Sequence, residues 1–206
     1  MVNFLRKMGA NIYGEGTNTI TINGVENLKD MVEYTVMPDR IEAGTFLCMS
    51  AITNGNIKVN GIVPHYLSSL TDILEQIGCE IIKSKESIKI KNSKNLKCID
   101  FLETKPYPYF ATDLQPQIMA LLSTLDGISV IKENIFEARN KHIPELNKMG
   151  CNIVENNNIF VINGVNSLIG RNVFAKDLRG GAGLITAGLF AEGETCLLYT
   201  SDAADD

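Results

Sequence analysis

The chain of 206 residues has no run of basic residues, no cysteines at C-x-x-C spacing and no apolar stretch long enough to cross a membrane. Each absence removes a class of function. With 24 acidic against 19 basic residues and a formal charge of −5, a nucleic-acid surface is not expected. Any anionic substrate must be held by local charges rather than by the field of the whole chain. The five cysteines, Cys48, Cys79, Cys98, Cys151 and Cys196, are odd in number and unpaired in spacing. That argues against zinc and a disulfide framework and fits a reducing cytoplasm. No charged-then-apolar leader opens the chain, so no membrane partner is expected. The Gly180-Gly181-Ala182-Gly183 stretch is not a phosphate-binding P-loop, because no Gly-Lys-Ser/Thr follows it. No Ser-His-Asp set or activated cysteine stands out.

What is present is a repeat. Hydrophobic residues make up 45% of the chain, enough for a sizeable core. One phrase occurs three times, at Leu5 to Ile12, Leu74 to Ile81 and Leu146 to Ile153, about every 70 residues. Each copy reads as a helix ending on Gly, then a strand, a polar turn and a second alternating strand. The second strands carry Ile20 and Ile22, Ile88 and Ile90, and Ile159 and Val161, with hairpin tips near Thr17, Lys85 and Asn156. Between the copies, Asp39, Asp113 and Asp177 each precede a helical pattern, in PDRIEAGTF, TDLQPQIMA and KDLRGGAGL. Two of these helices run on into strands, Asn56 to Asn60 and Ile128 to Lys132. A helix over Tyr66 to Ile77 shows one apolar face with Leu67, Leu70, Ile73, Leu74 and Ile77. The expected fold class is α/β, built from repeated βαβ-type units.

The segment around which this is organised is Pro106 to Gln117, PYPYFATDLQPQ. Asp113 stands where an extended segment turns into a helix, and Leu114, Ile118, Leu121, Leu122 and Leu125 then recur at helical spacing. Pro116 fits the first helical turn. Arg139 follows in IFEARNKHIPEL, and Asp177 and Arg179 in AKDLRGGAG. Spacing leaves two readings open. Asp113 and Asp177 fit helix N-caps, worth about 1 kcal/mol each, and Arg139 fits a surface ion pair worth roughly 0–1 kcal/mol. Equally, the four charges fit a site. His142 and Glu145, one helical turn apart, read as a solvated helix start rather than a metal pair. His65 reads as structural, and Cys79 and Cys151 as core residues.

Taken together, PDRIEAGTF, TDLQPQ, IFEARNKHIPELNKMG and DLRGGAG resemble the enolpyruvyl transferase family, over Met1 to Thr195 and in the family order. The departures are Pro116, where a small residue is common, and the Gly-rich 180–183 stretch, where Ala alternates with Gly. The resemblance implies an incomplete inside-out α/β barrel of repeated units. It places residues 1–37 in the tail of a first domain and 38–195 in most of a second, with the active site in the cleft between domains. Residues 196–206, CLLYTSDAADD, break the preceding pattern and read as an adapter translated in frame.

The resemblance further implies transfer of the enolpyruvyl group of phosphoenolpyruvate to the 3-hydroxyl of UDP-N-acetylglucosamine, the first committed step of peptidoglycan synthesis. Asp113 matches the base and sugar ligand, and the backbone at Ile135, just before Phe136, matches a nucleotide-sugar contact. Arg139 and Arg179 match arginines near phosphoenolpyruvate and its tetrahedral adduct, and Asp177 an acid beside the reacting carbon. No metal or cofactor is implied. The family's proton-donating Cys lies on a first-domain loop whose motif is absent here, so Cys48, Cys79, Cys98 and Cys151 do not inherit its role. The expectation is that this chain alone lacks transferase activity. The alternatives are the shikimate-pathway enolpyruvyl transferase, 3-phosphoshikimate 1-carboxyvinyltransferase, and a non-catalytic module of the same repeats. An RNA-phosphate cyclase fits the acidic balance poorly. The H-I-P-E-L, P-D-R and T-D-L-Q phrases favour the nucleotide-sugar acceptor.

Overall fold

The computed structural model describes residues 1–30, 32–91 and 95–199. The chain divides into two compact units, Met1–Met37 and Pro38–Asp206. In the first, helix α1 (Val2–Lys7) leads through Gly9, at φ 99°, into an antiparallel hairpin of β1 (Asn11–Tyr13) and β2 (Thr21–Asn23). The Arg6 guanidinium ties helix to hairpin, donating to the Ile12 carbonyl at 2.6 and 2.9 Å and pairing with Glu15. Ile12 is the one buried apolar side chain among the described residues of this unit. Ile20 and Ile22, expected to face a core, stand 56% and 68% exposed, since a hairpin with one short helix encloses no interior of its own.

The second unit repeats the helix–Gly–hairpin phrase twice. After α2 (Arg40–Ile52) and β3 (Ile57–Asn60), a 3-10 turn over Pro64–Leu67 opens α3 (Ser68–Ile77). Gly78, at φ 114°, caps α3, as a residue without Cβ does at low cost. The hairpin β4 (Glu80–Ser84) and β5 (Ser87–Lys91) follows, and β3 adds antiparallel to β5. Next come β6 (Phe101–Glu103), α4 (Gln115–Leu122), β7 (Ile128–Lys132), α5 (Ile143–Lys148) and the hairpin β8 (Asn152–Asn156) and β9 (Ile159–Asn163). They form a sheet in the order β6-β7-β9-β8, parallel between β6 and β7 and antiparallel elsewhere. Finally, β10 (Asn172–Ala175), α6 (Leu178–Gly188) and β11 (Cys196–Tyr199) repeat the parallel strand–helix–strand step. The segment read as foreign thus begins in register with β10, Asn172 opposite Cys196, and its remainder, 200–206, lies outside the described residues.

The expected face of α3 is buried at Leu67, Leu70, Ile73, Leu74 and Ile77. In β9 the inward residues are Phe160 and Ile162, at 1% and 0% exposure, not Ile159 and Val161. All four are apolar, so alternation alone does not choose a face. Register does, setting Phe160 opposite Ile131 on β7.

Helices α2, α4 and α6 pack against one another. All eight residues of α4 are buried, a wider burial than the single face expected. Two glycines permit this approach. A Cβ on Gly44 would meet the Leu114 side chain at 2.8 Å, and one on Gly183 would meet Pro116 at 2.8 Å. The Gly-rich stretch therefore serves, at Gly183, a neighbouring helix.

Candidate active site

The three repeated aspartates do not behave alike. Asp39 enters α2 from an extended backbone and accepts the Ile41 N–H at 2.7 Å and the Glu42 N–H at 3.3 Å. Asp177 enters α6 in the same way and accepts the Gly180 N–H at 2.7 Å. Both are N-caps. Asp113 lies inside a 3-10 turn, Thr112–Leu114, and its carboxylate caps nothing. The donors a cap would use are gone. The Gln115 N–H is bonded to the Thr112 carbonyl, and Pro116 has no N–H.

The Asp113 carboxylate is turned instead to two guanidiniums. Arg139 Nη1 donates to Oδ1 at 2.7 Å, and Arg179 Nη2 stands 3.6 Å from Oδ2. The side chains keep 33% (Asp113), 17% (Arg139) and 29% (Arg179) of their surface, so solvent screens the pairs and their net worth to stability is about 1 kcal/mol or less. An arrangement that adds so little to stability is open to exchange with an anionic ligand. Arg139 is placed by two further contacts. Its Nη1 also donates to Thr112 Oγ1 at 3.0 Å, and its guanidinium carbon stands 4.3 Å from the centre of the Phe136 ring.

Glu133, at the end of β7 and 1% exposed, holds this arrangement from behind. It accepts from Thr104 Oγ1 at 2.7 Å, Thr112 Oγ1 at 2.9 Å, and the N–H groups of Ile135 and Phe136 at 2.8 and 3.2 Å. One buried carboxylate thereby fixes both the turn bearing Asp113 and the loop bearing Arg139. Sequence reasoning passed over Glu133. Its signal was a lone acid directly after an apolar strand.

Asp113, Phe136, Arg139, Lys141, Asp177 and Arg179 line an open hollow of about 440 Å³. Five of the six residues singled out from the sequence therefore share one concavity. The sixth, Ile135, is not on its walls, and its N–H is turned inward to Glu133.

His142 and Glu145 are not a solvated helix start. They are 2% and 4% exposed. Glu145 accepts the Phe174 N–H at 3.0 Å and the Lys148 ammonium at 2.6 Å, which joins α5 to β10. Burial would raise its carboxyl, but these two partners and the Lys176 charge hold it below the ordinary value. Neither ring nitrogen of His142 has a hydrogen-bond partner among the described residues. Burial pushes its imidazole down to about 4, with Asp177 pulling upward and Arg139 pushing further down. Its Cβ lies 3.2 Å from the point where a Cβ on Gly180 would sit, so it underlies the start of α6. Cys48, Cys79 and Cys151 are buried, and their thiols are pushed up to about 12, 11 and 11 by desolvation, so none is an activated nucleophile. Among the described residues, no cluster of three His, Cys, Asp or Glu could hold a metal, and no helix is long and apolar enough to cross a membrane.

The site and fold can be set beside known proteins. The family model described as EPSP synthase (3-phosphoshikimate 1-carboxyvinyltransferase) matches residues 1–203. UDP-N-acetylglucosamine 1-carboxyvinyltransferase 2 of Caldanaerobacter subterraneus subsp. tengcongensis is 48% identical over 193 residues, covering 94% of this chain and 46% of that protein. UDP-N-acetylglucosamine 1-carboxyvinyltransferase of Desulfofundulus thermocisternus is 46% identical over 95% of this chain and 80% of its own length. The chain thus spans about half the length of the first of these relatives. Among solved structures, the enolpyruvyl transferase NikO from Streptomyces tendae superposes with a TM-score of 0.84 at 26% identity, over 95% of this chain and 47% of that one. EPSP synthase from Acinetobacter baumannii shares the fold at a TM-score of 0.65 and 18% identity, over 84% of this chain and 41% of its own. A repeated α/β architecture, an uncapped aspartate between two arginines and these likenesses in sequence and structure agree: the chain belongs to the enolpyruvyl transferase family.

Proposed function

We propose that the chain is part of a cytoplasmic enzyme that moves the enolpyruvyl group of phosphoenolpyruvate to the 3-hydroxyl of UDP-N-acetylglucosamine and releases phosphate, at the entry to peptidoglycan synthesis. Residues 1–37 belong to the tail of one domain of that enzyme and 38–195 to most of another. The observation that carries the reading is the Asp113 carboxylate, free of any capping duty and held between Arg139 and Arg179 in an open hollow.

An alcohol at neutral pH needs a base within hydrogen-bond reach. Asp113 takes the proton of the sugar 3-hydroxyl as that oxygen bonds to C2 of phosphoenolpyruvate. The adjoining carbon gains a proton from an acid outside this chain. A base then takes a proton from that carbon as the bond between C2 and the phosphate oxygen breaks, which releases phosphate and restores the double bond. Arg139 and Arg179 receive the carboxylate and phosphate of the donor, since a guanidinium fork meets paired oxygens and stays charged. Asp177 lies beside the reacting carbon with one oxygen fixed by its cap to Gly180. Phe136 contacts the nucleotide sugar from the wall of the hollow, and Ile135, whose N–H is held by Glu133, does so from beyond that wall. The acceptor named for the relatives supports the nucleotide sugar over 3-phosphoshikimate.

The test is phosphate release by the complete reading frame from phosphoenolpyruvate with either acceptor. Turnover with UDP-N-acetylglucosamine and none with 3-phosphoshikimate is expected; the opposite preference refutes the reading.

A further inference from the structure

The hollow holds three cationic side chains and two carboxylates, and their engagements differ. Arg139 and Arg179 both face Asp113, and Asp177 holds the start of α6. Lys141 makes no ion pair or hydrogen bond among the described residues, and it is exposed on the wall of the hollow. Its backbone is nevertheless fixed. The Ile143 N–H closes a turn onto the Asn140 carbonyl at 2.9 Å, and the His142 carbonyl accepts the Leu146 N–H at 2.9 Å. His142, the next residue, is buried, so Lys141 leaves an anchored turn and its stem is free to sweep the opening.

We infer that Lys141 is the cation that receives a phosphate group of the incoming substrate. This rests on the function proposed above and adds a residue that the resemblance does not assign. Acidic residues outnumber basic ones along the chain, 24 to 19, so an anion entering this hollow depends on the cations that line it. The two guanidiniums are already opposed by Asp113, whereas the Lys141 ammonium is opposed by no carboxylate among the described residues. A compact point charge on a flexible stem suits a phosphate arriving from solvent, where a rigid fork suits one already in place. Lys141 thus makes the first contact, and the phosphate so held competes with Asp113 for Arg139 and Arg179.

The phosphate belongs either to phosphoenolpyruvate or to the diphosphate of UDP-N-acetylglucosamine, and calorimetric titration of the complete reading frame with each separates them. For the phosphate-bearing ligand that Lys141 receives, Lys141→Met weakens binding about five- to tenfold, Lys141→Arg stays within about twofold, and the difference shrinks in high salt. A loss confined to phosphoenolpyruvate assigns its phosphate; a loss confined to the nucleotide sugar assigns the diphosphate. Equal affinities for the unsubstituted protein and Lys141→Met, with Arg179→Gln still weakening phosphoenolpyruvate, overturn this inference and leave the proposed function standing. Failure of the unsubstituted complete protein to bind either ligand overturns both.

Discussion

His142 makes the stability of this chain depend on pH in a calculable way. The imidazole is 2% exposed with neither nitrogen bonded among the described residues, and burial pushes it from 6.5 to about 4. Two site charges face it: Asp177, which favours its protonation, and Arg139, which opposes it. Above pH 6.5 the ring is neutral in both folded and unfolded chains, and titration costs nothing. As the pH falls below 6.5 the unfolded chain takes up the proton first, so stability declines until the folded ring also protonates near pH 4. At 1.36 kcal/mol per pH unit, this window costs about 3 kcal/mol, a large share of the stability of a small domain. Carboxylates titrate at its lower end, so the useful quantity is a difference between chains. Urea unfolding followed by circular dichroism, at intervals from pH 7.5 to 4, gives the stability of the native chain and of His142→Phe. The native chain is expected to lose about 3 kcal/mol more than the variant, most of it between pH 6.5 and 4.5. Parallel profiles would refute the assignment of a buried, neutral and unpartnered ring. Because the readout is a slope, any packing cost of the phenyl ring at neutral pH cancels.

Two further substitutions probe how the site is held. Glu133→Ala removes the acceptor of two hydroxyls and two N–H groups and is expected to cost about 3 kcal/mol or more in chemical unfolding, with hydrogen exchange rising at Ile135 and Phe136. Unchanged exchange at those amides would mean that Glu133 does not organise the loop. Gly183→Ala sets a methyl 2.8 Å from the Pro116 ring and 2.9 Å from its carbonyl oxygen, and is expected to cost about 1–3 kcal/mol in the same assay. A neutral or stabilising result would mean that α4 and α6 separate freely.

Much of this was legible in the sequence, and the exceptions have physical causes. The helix–Gly–hairpin repeat was readable because Gly9, Gly78 and Gly150 sit at the left-handed position that ends each helix. The three aspartates looked equivalent because composition does not show how a chain enters a helix. What separates them is Pro116, three residues after Asp113, where the N–H that completes a cap is missing; Gly180 supplies it for Asp177 and Glu42 for Asp39. That proline was visible from the start, as a departure from the family pattern. The inward face of β9 was not readable, since Ile159 to Ile162 are apolar on both faces and the choice is made by pairing with β7. Nor was the burial of His142 and Glu145, which α6 and β10 impose from far along the chain.

The central claim is that Asp113 is a base rather than a brace for the fold. It is tested most directly by turnover of the complete reading frame carrying Asp113→Asn, with phosphoenolpyruvate and UDP-N-acetylglucosamine. The amide keeps the shape and loses the basicity, so kcat is expected to fall about 10²–10⁴-fold while binding of the nucleotide sugar is largely kept. A rise in KM with kcat untouched would contradict the claim and leave Asp113 as a ligand only.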